Sequence, residues 1–233
     1  MRVLVVDTAL GLCTAGAFEV GTGEGGGGAM RRLGLRSEPM AKGHSERLAG
    51  FARDAMAEAG LAFDAVDRIG VTMGPGSFTG LRVGLAFAQG LGAALGRPVV
   101  GLSSLDALAA SAEAGTGPVA ALIDARRGQV YARFFAHGVA AGPAGALSLE
   151  AASERIAALA PGAVLIGSGA ALFAEAFPAL SRTPLAGPAP EALARLTAAA
   201  DPATAPPRPL YLRAPDATPP SRLPGQARPA RPS

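Results

Sequence analysis

Several scarcities narrow the chemistry open to this chain before any motif is considered. Among 233 residues there is one cysteine, Cys13, and there are two histidines, His44 and His137. A single thiol excludes an internal disulfide framework and suits a reducing compartment. Two histidines separated by most of the chain cannot form HxxxH, HExxH or a Cys/His ligand set, so no metal site is expected. Tryptophan is absent, and Lys42 is the only lysine. No stretch of about 18 apolar residues suggests a membrane span, and no basic segment with an apolar run and cleavage site opens the chain. A cytoplasmic protein that engages no membrane is expected.

What is present is apolar and small. Hydrophobic residues make up 49% of the chain and charged residues 17%, which supplies a core and excludes a disordered class. The pI near 9.7 suggests nucleic acid, but the charge is unevenly placed. From Pro202 to Ser233 there are five arginines and one acid, Asp216; against a total of +3, this leaves about −1 for residues 1–201. The body is nearly neutral, and the basicity belongs to a segment in which ten of 32 residues are proline. That density defeats a packed core, so 216–233 is expected to be a disordered Pro/Arg-rich tail. The PLYLRAP stretch before it is a candidate for docking in extended form.

Periodicity predicts strands at Arg2–Asp7, Ala15–Val20 and Met30–Arg36, with the glycine-rich Gly21–Gly28 as a hairpin tip. Helices follow at Ser45–Ala59, Phe78–Leu95 and Ser104–Ala114, alternating with strands at Arg68–Met73 and Pro98–Leu102. The order β-β-β-α-β-α-β-α predicts a mixed sheet covered by helices. After Thr116–Pro118 a hairpin is expected at Val119–Asp124 and Gln129–Ala136, turning at ARRG. A helix at Ser153–Leu159, a strand at Val164–Gly167 and helices at Ala170–Phe177 and Glu191–Ala200 complete the second half. No sequence repeat is present, although the halves are compatible with one sheet-plus-helix plan.

The stretch GPGSFTGLRVGLAFAQGLG carries the most information. It is not a P-loop, because Gly80 is followed by Leu81 where that motif needs lysine, and it does not match GxGxxG. An anion at the helix start is one reading, with Asp7, Gly76, Ser77 and Thr79 as contacts; a tight strand-to-helix turn is the other. Behind the turn, Gly76, Gly80, Gly84, Ala88, Gly92 and Gly96 recur every four residues. Glycine inside a helix costs about 0.5–1 kcal/mol relative to alanine, so the stripe implies that another backbone comes close. Internal packing and a partner chain are both open sources. A Ser77/His44/Asp7 triad lacks a GxSxG elbow. Asp124, Arg126 and Arg127 suit a salt network at the hairpin turn.

VLVVDTA, KGHSERL, GPGSFTGLRVGLAFAQGLG, PVVGLSSLDALA, IDARRGQVYARFF and PLYLRAPDA occur in that order over most of residues 1–215. Together they resemble the TsaB (YeaZ-like) family of bacterial tRNA threonylcarbamoyladenosine biosynthesis proteins. The resemblance implies an α/β, actin/Hsp70-like ATPase (ASKHA) fold with two ribonuclease-H-like lobes of mixed sheets flanked by helices. The expected division is a first lobe at 1–115, a second at 116–215 and the tail at 216–233. TsaB resembles the catalytic subunit TsaD, whose metal-binding HxxxH histidines would fall on Ser104 and Leu108 here, and neither replaces an imidazole.

The resemblance therefore implies a non-catalytic subunit without a metal. Its partners would be TsaD, the P-loop ATPase TsaE, and tRNA through the complex, with a homodimer when TsaD is absent. The implied interface comprises His44, Leu48, Phe51, Ala52 and Ala55 of one helix and Gly80, Leu81, Gly84, Phe87, Ala88, Leu91 and Gly92 of the other. A bulky Gly84→Leu is expected to overpack that face. No cofactor is expected beyond weak nucleotide binding. The alternative is an enzyme: an ATP-binding or ATP-hydrolysing ASKHA protein using Asp7, or a peptidase-like hydrolase.

Overall fold

The computed structural model describes residues 1–21, 29–112, 117–159 and 162–213. The glycine tip at 22–28 and the tail at 216–233 lie outside the described residues. The first sheet is centred on β1 (Arg2–Asp7), whose residues from Val3 to Asp7 are all buried. Its side chains alternate, as strand geometry requires. Leu4 and Val6 enter one core, and Val3 and Val5 the other.

Two antiparallel neighbours, β2 (Leu12–Val20) and β3 (Met30–Pro39), lie to one side of β1. Two parallel ones, β4 (Arg68–Gly74) and β5 (Val99–Ser103), lie to the other, giving the order β3-β2-β1-β4-β5. Helices α1 (His44–Glu58) and α2 (Phe78–Leu95) cover the Leu4/Val6 face. They contribute Leu48, Phe51, Ala52, Met56, Leu85 and Ala88 to its core.

The second sheet repeats this plan. Strand β6 (Val119–Arg126) pairs antiparallel with β7 (Gln129–Ala136), which pairs antiparallel with the short β8 (Val139–Ala140) and β9 (Gly145–Ser148). On its other side β6 runs parallel to β10 (Val164–Ile166), and β10 to β11 (Ser181–Thr183). Helix α4 (Leu149–Ala157) covers one face through Ala152 and Ile156. The shared plan expected for the two halves is present.

Helix α3 (Ser104–Ala109) lies between the sheets. Ala107 enters the first sheet's second core, while Leu105 and Leu108 pack on Val119, Ala121 and Ile123. The last helix, α5 (Pro190–Ala199), returns to the first sheet, burying Leu193 and Ala194 among Val3, Val5 and Phe18. A Cβ on Gly70 would collide with Thr197 of that helix.

Three elements differ from the sequence reading. The helix expected at Ser153–Leu159 starts at Leu149, because the Ser148 hydroxyl accepts the Ala151 N–H and caps it. The helix expected at Ala170–Phe177 is a single 3-10 turn, Ala170–Phe173. Strands β8, β9 and β11 are two to four residues long, too short to carry a period. The stretch from Asp201 to Arg213 runs over the outside of the first sheet. There the Gly101 N–H donates to the Ala205 carbonyl and the Leu210 N–H to that of Met73. Leu210 of PLYLRAP is thus docked on Met73 of β4 without forming a strand.

Candidate functional site

Helix α2 is delimited by its own chemistry. The Ser77 hydroxyl accepts the Gly80 N–H at 3.2 Å, and Gly96 ends the helix in the left-handed conformation at φ 63. The glycine stripe receives the turn that follows β1. A Cβ on Gly76 would strike the Ala9 carbonyl, one on Gly80 the Thr8 carbonyl, and one on Gly84 would lie 2.6 Å from the Thr8 hydroxyl oxygen. The contact is stitched on both strands of backbone: the Ser77 N–H donates to the Ala9 carbonyl at 2.7 Å, and the Thr8 hydroxyl donates to the Gly80 carbonyl at 2.7 Å. Further along, a Cβ on Gly92 would strike Val99.

The backbone that comes close is therefore this chain's own, the internal-packing alternative of the two that the stripe left open. Gly80, Leu81, Gly84, Ala88 and Gly92 are buried inside the fold, as are His44, Leu48, Phe51, Ala52 and Ala55. Apart from His44, which lines the cleft described below, these residues present almost no surface. Gly84→Leu would overpack Thr8 rather than an interface. Only Phe87 and Leu91 of the expected set are half-exposed, beside half-buried Val83 and exposed Ala86, Gly90 and Ala94. This side of α2 is apolar. The whole helix is long and apolar enough to cross a membrane by composition, yet its buried side packs on the sheet.

A third side of α2 lies against the Asp201–Arg213 stretch. Gln89 donates to the Pro207 carbonyl at 2.7 Å, and the Phe78 ring lies 5.5 Å from that of Tyr211. Sequence reasoning did not single out Phe78 or Tyr211. Their partnership joins distant segments and leaves no local signal.

Beside the start of α2 lies a cleft of about 880 Å³ between the ends of β1, β4 and β6. Gly76 and Ser77 line it, together with Ala9 to Gly11, His44, Asp124, Arg126, Tyr131 and Ser168. Thr79 is exposed outside this lining. Asp7 is fully buried and does not line the cleft: one carboxylate oxygen accepts the Thr72 hydroxyl at 2.6 Å and the Ala9 N–H at 2.9 Å. Its second oxygen has no hydrogen-bond partner among the described residues, and neither has Nε2 of buried His44.

Burial pushes the Asp7 carboxyl above the ordinary carboxylate range, against those two hydrogen bonds and the nearby His44. Burial, with Asp7 close by, likewise pushes the Cys13 thiol up to about 11. The four expected anion contacts are thus not brought together: Gly76 and Ser77 face the cleft, Asp7 lies sealed beneath its floor, and Thr79 is outside. Ser104 and Leu108 are both fully buried. Among the described residues no group of three His, Cys, Asp or Glu side chains could hold a metal. At the hairpin turn, Asp124 accepts the Arg126 N–H at 2.8 Å and pairs with its guanidinium at 3.5 Å, the local network expected there.

Two mixed sheets of one strand order, flanked by helices with a cleft between their strand ends, define the actin/Hsp70-like ATPase (ASKHA) class of ribonuclease-H-like folds. A family model described as TsaD, tRNA N6-adenosine threonylcarbamoyltransferase, matches residues 32–141. The solved structure of YeaZ from Pseudomonas aeruginosa superposes with a TM-score of 0.70 at 31% identity, covering 91% of this chain and 99% of that one. An uncharacterized protein of Mycobacterium tuberculosis H37Rv is 38% identical over 93% of this chain and 94% of its own length. The tRNA threonylcarbamoyladenosine biosynthesis protein TsaB of Escherichia coli is 32% identical over 56% of this chain and 53% of its own length. The chain belongs to the TsaD/YeaZ (TsaB-like) family.

Proposed function

We propose that this chain is a cytoplasmic, non-catalytic partner subunit in forming N6-threonylcarbamoyladenosine on tRNA, at the adenosine adjacent to the anticodon. It binds a TsaD-type transferase and holds it in an active arrangement together with the ATPase TsaE. It meets tRNA through that complex and pairs with itself when the transferase is absent. The observation that carries this reading is the outward side of α2, where exposed Ala86, Gly90 and Ala94 and the half-buried Val83, Phe87 and Leu91 present apolar surface in a protein of this family. In the same reading residues 1–115 form the lobe that docks and 116–215 the lobe that braces it.

The enzyme alternative is weakened at its proposed acid. A carboxyl sealed in the core and held above the ordinary range is poorly placed to activate a metal-bound water. The test is reconstitution of the tRNA modification with the transferase and ATPase held constant, adding or omitting this chain. Undiminished modification without it would remove the reading.

A further inference from the structure

The mouth of the cleft carries a group of side chains that subunit docking leaves unused. Phe78 and Tyr211 are 46% and 42% exposed, and their rings are 5.5 Å apart at an interplanar angle of 36°. Arg82 lays its guanidinium 3.8 Å from the Phe78 ring centroid, and its Nε donates to the Tyr211 hydroxyl at 3.4 Å. The two rings come from α2 and from the Asp201–Arg213 stretch, and Arg82 ties them together. Arg126 lines the same cleft with its side chain 85% exposed, its charge partly offset by Asp124 at 3.5 Å.

We propose that this rim binds single-stranded RNA, with an unpaired base stacking against the cluster that Phe78, Tyr211 and the Arg82 guanidinium form and Arg126 neutralising a phosphate. Exposed rings beside arginine match the two elements by which single strands are held: a stacking platform and a cationic track. The apolar surface here is two rings interleaved with guanidinium groups, not the contiguous patch that a docked protein covers. Paired bases have their faces occupied by stacking, so a duplex has no free base for the platform.

Charge also favours a polyanion, since the guanidinium groups of Arg82 and Arg126 both stand at this rim. Arg213 donates to the Ala125 carbonyl and to Gln129, a positioning role for the hairpin turn. The inference deepens the tRNA reading given above. It is measured on the isolated chain, so its failure leaves the docking reading intact.

The experiment is fluorescence anisotropy of the full chain with a labelled, mixed-sequence RNA strand of about a dozen nucleotides. Saturable binding is expected, weakened about tenfold by Phe78→Ala and by Tyr211→Ala. Arg126→Ala should lower the slope of affinity against salt by about one phosphate equivalent. The same strand annealed to its complement should compete poorly. Both aromatic side chains are exposed, so the thermal midpoint of each variant should match the parent and exclude misfolding. Absent binding, or binding unchanged in both aromatic variants, overturns the proposal. Competition by AMP at the RNA's own affinity would also overturn it, making the cleft a mononucleotide pocket. So would loss of transferase co-purification in Phe78→Ala with RNA binding intact, which would assign the rings to a protein interface.

Discussion

Gly80 and Gly84 on one side of α2 and Gly90 on another belong to the same helix, yet they meet different surroundings. Around Gly80 and Gly84 the Thr8–Ala9 turn fills the space that a side chain would need. Around Gly90 nothing lies within 4 Å of where a Cβ would stand. A glycine stripe shows that something approaches, but its spacing does not say what. Here the approaching backbone is the chain's own first turn, and the surface left for a partner is the apolar side facing away from the stripe.

That contrast is broken most forcefully by one substitution made at both places. Gly80→Ala should overpack the Thr8 carbonyl and cost about 2–3 kcal/mol, lowering Tm by roughly 5–10 °C. Gly90→Ala should do the reverse, raising stability by about 0.5–1 kcal/mol because alanine is the better helix former where no clash intervenes. Paired thermal melts decide the matter. Equal effects at the two sites would mean that the stripe is not packed as described.

The open side is sharpened by charge rather than bulk. Gly90→Glu introduces a carboxylate at a position where nothing lies within 4 Å of a Cβ, so Tm should stay within a few degrees of the parent. Self-association, read by analytical ultracentrifugation, and co-purification with the transferase should both fall at least tenfold, as expected for an uncompensated charge in an apolar interface. Retention of both associations would move the docking surface elsewhere. The RNA rim is a third side of the same helix. Phe78→Ala and Gly90→Glu should therefore separate cleanly, the first affecting RNA and the second subunits.

Much of this was legible in the sequence because it is local. The bounds of α2 agree with expectation to the residue, since Ser77 caps one end and Gly96 the other. The Val-rich run of β1, closing on Asp7, marked a buried strand for the same reason. The identity of the stripe's occupant was not legible: Thr8 and Gly80 are 72 positions apart, and no pattern within α2 encodes that pairing. The rim was missed likewise, because Arg82 and Tyr211 are 129 positions apart. The burial of Leu48, Phe51, Ala52 and Ala55 follows from the helical period that located α1. That period reports which side faces inward, so the same residues that identify the helix are those least available to a partner.

A smaller effect tests how tightly the packed side is closed. Asp7 lies directly before the Thr8–Ala9 turn that packs on α2, and full burial there holds its carboxyl above the ordinary range. The unfolded carboxyl titrates near its ordinary 3.8 and the folded one higher. Above about pH 4 the native state therefore binds more protons than the unfolded state, and this contribution to stability falls as pH rises until the folded group has also ionised. Asp7→Asn removes the titration while keeping an acceptor for the Ala9 N–H and the Thr72 hydroxyl. The Tm difference, variant minus parent, should then become more positive between pH 4 and pH 8. A difference that stays flat across that range would mean that water reaches Asp7, and that the seam between the first turn and the glycine face opens in solution.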